Sequence, residues 1–337
     1  RGDSLVETWI ENAPMVAKEV GEDVVADLAT ASLMLASKTS GAVIELLLAS
    51  APTAASRLGD AELFLKYLQF VNTLLAQAPR GVRPMLDKLE VLFQHLTLGG
   101  LRRWALWGAH AHRTNYEEQI KYFGLESKES LAMLQKERKG TLLVDVQRRI
   151  NMYLRALWAR DFFMRPTSGD FESREGYRPY IADYLLHVPD AFDDFAPEGR
   201  APVSGLELYR ATAAHCAAHV VETKQPISAE ALNPLQMAVI SVIEDARVEA
   251  LSIRRFPGLK QLWSKLHIAT PEMNASVGDY LNRLARALLD DSYADSDPWI
   301  VEGRALFAAA QDRLDTNHTS WEIGVQLAHS IAAKKIA

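Results

Sequence analysis

The chain has 337 residues, of which 48% are hydrophobic and 24% charged, with a net charge of −6. That length supports two or three domains with sizeable cores, and the mild acidity, with no block of positive charge, gives nucleic-acid binding no electrostatic footprint. A single cysteine, Cys216, excludes an intrachain disulfide and fits a reducing cytoplasm, while the absence of a signal-peptide pattern and of a bilayer-length apolar run predicts no membrane association.

Residues 1–135 read as helix after helix, a solenoid-like domain. In VVADLATASLML (24–35) apolar residues recur at intervals of three and four. In AELFLKYLQFVNTLLAQA (61–78), Leu63, Tyr67, Phe70, Leu74 and Leu75 form one stripe. Breaks are expected at SAP (50–52), RLGD (57–60), APRGVRP (78–84) and LGG (98–100), because Gly and Pro punctuate helices. Segments of this length between short turns predict stacked helical pairs, with a lean toward a HEAT-like arrangement, although no fixed-period repeat is present. GAHAHR (108–113) places His110 and His112 two apart, on different helix faces, which reads as a polar helix end rather than a metal pair.

A second domain is expected over 136–337. TLLVDVQRRINMYLRALWARDFF (141–163) is a helix lined by Leu143, Val146, Ile150, Leu154, Leu157 and Trp158. Arg148, Arg149, Arg155 and Arg160 form its flank, read as a solvated face. FFMRP and YIADYLLHV, joined by TSGDFESREGY, predict a small β hairpin or meander at about 162–190, the only sheet expected. After the Pro- and Gly-rich segment 195–205, helices are expected at 206–223, 234–255, 257–267, 274–291, 298–313 and 321–335. Ser228 is read as the start of an extra turn, and Asp297 and Ser320 as N-caps. The fold class is therefore mainly α with a short β meander.

RATAAHCAAHVVET (210–223) sets His215 and His219 four apart, on one helix face, where both can reach a metal. Zinc peptidases with this H-x-x-x-H skeleton carry a glutamate general base directly after the first histidine; here that position is Cys216. IEDARVE (243–249) offers Glu244, Asp245 and Glu249 as partners, with Glu244 expected as the third ligand. Two readings stay open: a metal-free polar network with Asp245, Arg247 and Glu249, or a structural zinc on His215, His219 and Glu244. A short sheet, then the histidine helix, then an acidic helix is also the order of a degenerate zincin-like domain. A hydrolytic role is not expected, and no G-x-x-x-x-G-K-[ST], G-x-G-x-x-G or G-x-S-x-G motif supplies another chemistry.

The stretches ERKGTLLVDVQRRINMYLRALWARDFFMRPTSGDF, GYRPYIADYLLHVPDAFDD, LELYRATAAHCAAH and VIEDARVEALSIRRFPGLKQLW resemble the N-terminal portion of the CbbO and NorD proteins. These are the von Willebrand A partners of MoxR-type AAA+ ATPases. The likeness is long over 137–270 and extends to GLRRWALWGAHAHR and EEQIKYFGLESKESL within 100–131, while the first 100 residues fit only as generic helices. Its wording is closer to CbbO than to NorD. The resemblance implies a non-catalytic adaptor that links a CbbQ-type AAA+ hexamer to Rubisco, so that inhibitory sugar phosphates are released; ATP hydrolysis belongs to the partner. It implies that the main contact with Rubisco lies in a C-terminal von Willebrand A domain with a metal-ion-dependent adhesion site, absent before Ala337. It also implies no required cofactor, a bacterial cytoplasmic location, with carboxysome association compatible, and, on the NorD branch, activation of nitric oxide reductase instead.

Overall fold

A computed structural model describes residues 2–138, 140–167, 178–332 and 334. In chain order the elements are α1 (Gly2–Val20), α2 (Asp23–Ala36), α3 (Gly41–Leu58), α4 (Ala61–Gln77), α5 (Val82–Asp87), α6 (Leu89–His95), α7 (Leu98–Ala111), α8 (Tyr116–Phe123) and α9 (Lys128–Glu137). Then come β1 (Thr141–Leu142), α10 (Leu143–Trp158), β2 (Phe163–Pro166), β3 (Tyr180–Ala182), β4 (Leu185–Val188) and β5 (Ala191–Phe192). The remainder is helical: α11 (Gly205–Glu222), α12 (Pro234–Arg255), α13 (Gly258–Ser264), α14 (Val277–Leu289), α15 (Pro298–Ala309) and α16 (His318–Ala332). No helix among the described residues is long and apolar enough to cross a membrane.

Two compact units form, one of Arg1–Gln147, Arg165–Arg178 and Pro189–Asp193, the other of Arg148–Met164, Pro179–Val188 and Asp194–Ala337. In the first, α1 packs on α3, α2 on α4, α3 on α5 and α6, α4 on α7, and α7 on α9. Packing of a helix on the next but one is what stacked helical pairs produce. The predicted stripe of α4 (Leu63, Tyr67, Phe70, Leu74 and Leu75) is buried in the shared cluster, together with Leu28, Leu47 and Trp104.

Local signals place most of the breaks. Gly59 ends α3 at φ 61, in the left-handed region that glycine tolerates, and Asp60 then caps α4 by accepting from the Leu63 N–H. The break expected at SAP does not occur: α3 runs through Pro52, because proline removes one helical N–H while the buried Leu47, Leu48, Ala51, Ala54 and Ala55 keep the helix on the core. LGG is not a break either. Thr97 accepts from the Gly100 N–H, so these residues make the first turn of α7.

The meander is present, with strand order β2-β4-β3. YIADYLLHV is not one strand but two, β3 and β4, antiparallel with Tyr180 opposite His187 and Ala182 opposite Leu185. Asp183 and Tyr184 turn between them at φ 50 and 64, as a tight hairpin requires. The connection expected before β3 lies, for residues 168–177, outside the described residues. A second sheet that the sequence did not announce pairs β1 with β5, Thr141 opposite Phe192 and Leu142 opposite Ala191. Two-residue strands carry too little alternation to be seen as a pattern.

In the second unit α12 is central, packing on α11, α13, α14 and α16. Val239, Ile243, Leu284, Trp299, Ile300 and Leu327 lie in its core. A Cβ on Gly324 would stand 2.7 Å from the Ile240 Cα, so only glycine allows α16 to approach α12 this closely. Asp297 caps α15 as expected, accepting from the Trp299 N–H. Ser228 starts no helical turn, its hydroxyl only accepting from Glu230. Ser320 is not a cap: α16 starts two residues earlier, and the Ser320 hydroxyl is buried against Glu244. Of the predicted apolar positions of α10, Leu143, Val146, Ile150, Leu154 and Trp158 are buried and Leu157 is half-buried, whereas Arg148, Arg149, Arg155 and, just past the helix, Arg160 are exposed.

Candidate functional site

Helix α11 starts at a capping box in which Ser204 and Glu207 exchange side-chain and backbone hydrogen bonds. The Trp263 indole of α13 donates to the Ala211 carbonyl and pins the middle of α11. Helix α12 starts at a second box, from Asn233 and Gln236, with Pro234 at its first position. These anchors set the register in which α11 and α12 face each other.

His215 and His219 lie one turn apart with ring centroids 4.9 Å apart. Both Nε2 atoms face one oxygen of Asp245, at 3.5 Å from His215 and 3.0 Å from His219. The Nδ1 atoms face away from it. His215 Nδ1 lies 3.0 Å from Glu249 Oε1, and His219 Nδ1 lies 3.3 Å from the Thr223 hydroxyl, which donates at 2.6 Å to Glu244 Oε1. Asp245 and Glu249 are four apart and share the face of α12 that meets α11.

Glu244, expected as the third ligand, is on a different face. One residue along a helix is a rotation of about 100°, which separates it from Asp245. Its carboxylate receives Arg247 Nε and Nη2, both at 2.7 Å, and the Ser320 hydroxyl at 2.7 Å. Arg247 is fully buried and also donates to the carbonyls of Glu222 and Leu314. Burial alone would raise the Glu244 pKa, but Arg247, Thr223 and Ser320 outweigh it and hold it below the usual glutamate range. Glu244 is thus committed to Arg247. The three residues whose ligand atoms come within 4.8 Å of one another are His215, His219 and Asp245, the only such group among the described residues. His110 and His112 join no such group. The His112 ring instead sits 5.4 Å from that of Tyr122.

The electrostatics follow from these contacts. Burial works against charge on His215, but hydrogen bonds to Asp245 and Glu249 prevail and raise its pKa to about 10. Burial likewise works against charge on Asp245, and the two histidines overcome it and hold the carboxyl below its ordinary range. The Asp245 side chain is 47% exposed, so water screens part of that effect. Burial pushes the Cys216 thiol up to about 12, with the nearby Asp245 charge adding to it. At neutral pH Cys216 is therefore neither a base nor a thiolate ligand.

Beside the histidines is a cavity of about 240 Å³ lined in part by His215, Cys216, Asp245, Glu249, Trp263 and His267. Sequence reading did not single out His267, whose pKa burial lowers, or Thr223. Thr223 stands four residues past His219, the same spacing as the histidine pair, and that periodicity was the available signal. His267 lies beyond α13 and is brought to the cavity only by the chain's return, for which no local pattern exists. No described protein family, curated protein or solved structure matches the chain.

Proposed function

We propose that this chain is a non-catalytic adaptor region of the CbbO type, coupling a CbbQ-type AAA+ hexamer to Rubisco for the release of inhibitory sugar phosphates. The observation that carries this reading is the family wording of residues 137–270, which spans α10, the meander and helices α11 to α13 around the histidine pair. Two features support a role by binding rather than by hydrolysis. Cys216 stands where a zinc peptidase has its glutamate base, and its thiol is buried and protonated at neutral pH. The first unit is a stack of helices, which offers an extended surface and passes strain from layer to layer. ATP hydrolysis and ring motion then belong to the partner, and the adaptor contributes differential binding.

Size-exclusion co-elution of the purified 337-residue chain with a CbbQ-type ring is the test. The expected result is a stable complex in the presence of nucleotide and an altered ATPase rate. Failure to bind that ring, both alone and with a CbbO von Willebrand A domain fused after Ala337, overturns the reading. Binding only to the ring that serves nitric oxide reductase reassigns the chain to the NorD branch and equally overturns the Rubisco role.

A further inference from the structure

The hydrogen-bond network around α11 and α12 dictates where the imidazole protons lie. A carboxylate only accepts, so the Glu249 oxygen 3.0 Å from His215 Nδ1 requires an N–H there. Glu244 already receives Arg247 and Ser320, and Thr223 donates its hydroxyl proton to it. The Thr223 oxygen is thereby left as an acceptor, so His219 Nδ1 must donate as well. With Nδ1 protonated on both rings, the proton that a metal would displace is the one at Nε2, and each imidazole that gives it up presents an Nε2 lone pair to the same Asp245 oxygen. Two nitrogen lone pairs and an anionic oxygen then converge on one point, which is repulsive until a cation lies among them.

We propose that His215 Nε2, His219 Nε2 and Asp245 Oδ1 form a binding site for a divalent first-row transition ion, with coordination left open toward the adjoining cavity. The site goes beyond the adaptor reading and does not depend on it. Three observations carry it. The Nε2-to-oxygen separations of 3.0 and 3.5 Å lie within a few tenths of an ångström of the roughly 3.3–3.6 Å between ligands held about 2.0–2.2 Å from a tetrahedral ion. Each ligand histidine is oriented through its other nitrogen, His215 by Glu249 and His219 by the Thr223–Glu244–Arg247 chain, which is the outer shell that metal-binding histidines use. The histidines are 28% and 19% exposed, and His215 and Asp245 border a 240 Å³ cavity, so an ion can enter and an exogenous ligand can complete its coordination. Two imidazoles and a carboxylate suit zinc and its first-row neighbours rather than calcium or magnesium, whose ligands are oxygen.

The test uses the full 337-residue chain, isolated without chelator and titrated with Zn²⁺ by calorimetry, with metal analysis of the dialysed protein. One ion per chain is expected. Asp245→Asn, nearly isosteric, abolishes binding while circular dichroism is unchanged, and Glu249→Gln and Thr223→Val each weaken it by roughly 10–100-fold through the outer shell. Cobalt substitution supplies a second readout: visible ligand-field bands in the wild type that vanish in Asp245→Asn and shift in Glu249→Gln. The proposal is overturned if the wild-type chain takes up no zinc and shows no cobalt bands, in which case the Nε2 atoms hold protons only. It is equally overturned if Asp245→Asn and a His215→Ala, His219→Ala double variant bind zinc as tightly as the wild type.

Discussion

Tyr67 and Trp104 in the first unit and Arg247 in the second are all fully buried, yet different forces keep them there. The first two sit in a cluster of aliphatic and aromatic side chains contributed by the stacked helices α1 to α8. Their ring area favours burial in proportion to the apolar surface removed from water, and the Trp104 indole N–H donates to the Ser130 carbonyl. Arg247 is tolerated only because Glu244 and the carbonyls of Glu222 and Leu314 occupy its donors. Arg283 and Asp295 repeat the device in the same unit, with N–O distances of 2.9 and 2.8 Å and side chains almost wholly enclosed. Apolar burial tolerates single substitutions that keep volume, whereas a buried charge pair tolerates the loss of neither partner alone.

The largest expected effect comes from breaking the directional side. Arg247→Met leaves Glu244 buried beside unpaired carbonyls and destabilises the second unit by about 3–5 kcal/mol, read from denaturant midpoints. Adding Glu244→Leu should return much of that loss. A double variant no more stable than the single one would mean that the pair does not act as a unit.

Leu47→Ala, in the apolar cluster, should cost about 3 kcal/mol from lost transfer energy and the residual cavity. Its urea transition should shift without a change in slope, and no second substitution elsewhere should rescue it. If an apolar truncation here proves harsher than the loss of Arg247, the contrast between the two cores is reversed.

The smallest effect concerns pH, where the two units have opposite signs. Burial, with the charge of Asp60 nearby, raises the Asp190 pKa to about 7, and one of its carboxylate oxygens has no hydrogen-bond partner. Between its ordinary value of 3.8 and about 7 the folded chain holds a proton that the unfolded chain has released. Asp190 therefore favours folding at low pH and withdraws that support as pH rises, by at most a few kcal/mol. Asp295 is opposed by burial but held by Arg283 at about 2, so its contribution is present above its ordinary value of 3.8 and fades as pH falls toward 2. Melting temperatures of the wild type should fall between pH 4 and 7 through this group, and those of Asp190→Asn should lose that part of the slope. An unchanged slope would place the titration elsewhere.

Much of the fold was legible because the relevant signals are local. The stripes of α4 and α10 and the Asp297–Pro298 start of α15 all act within one or two turns. Where local rules failed, burial had overruled them. Helix α3 continues through Pro52 because its alanines and leucines are held in the core, and Ser320 is drawn inside α16 because its hydroxyl meets Glu244 from another helix. In the candidate site, the spacing of His215 and His219 was enough to place both on one face. The choice between Glu244 and Asp245 was not legible, since adjacent carboxylates on α12 differ only in which neighbouring helix each one meets.

The sequence by itself determined the helices, their apolar faces, the histidine pair and that Cys216 rather than a glutamate follows His215, because periodicity and residue chemistry are properties of the chain. Only the tertiary structure decided that Asp245 joins the histidines while Glu244 goes to Arg247, that Thr223 and Glu249 orient the imidazoles, and that His267 lines the cavity. Those assignments depend on the rotation and register of α12 against α11 and α16. That register is set by side chains far apart in the sequence, among them the close approach at Gly324 and the Trp263 hydrogen bond to α11.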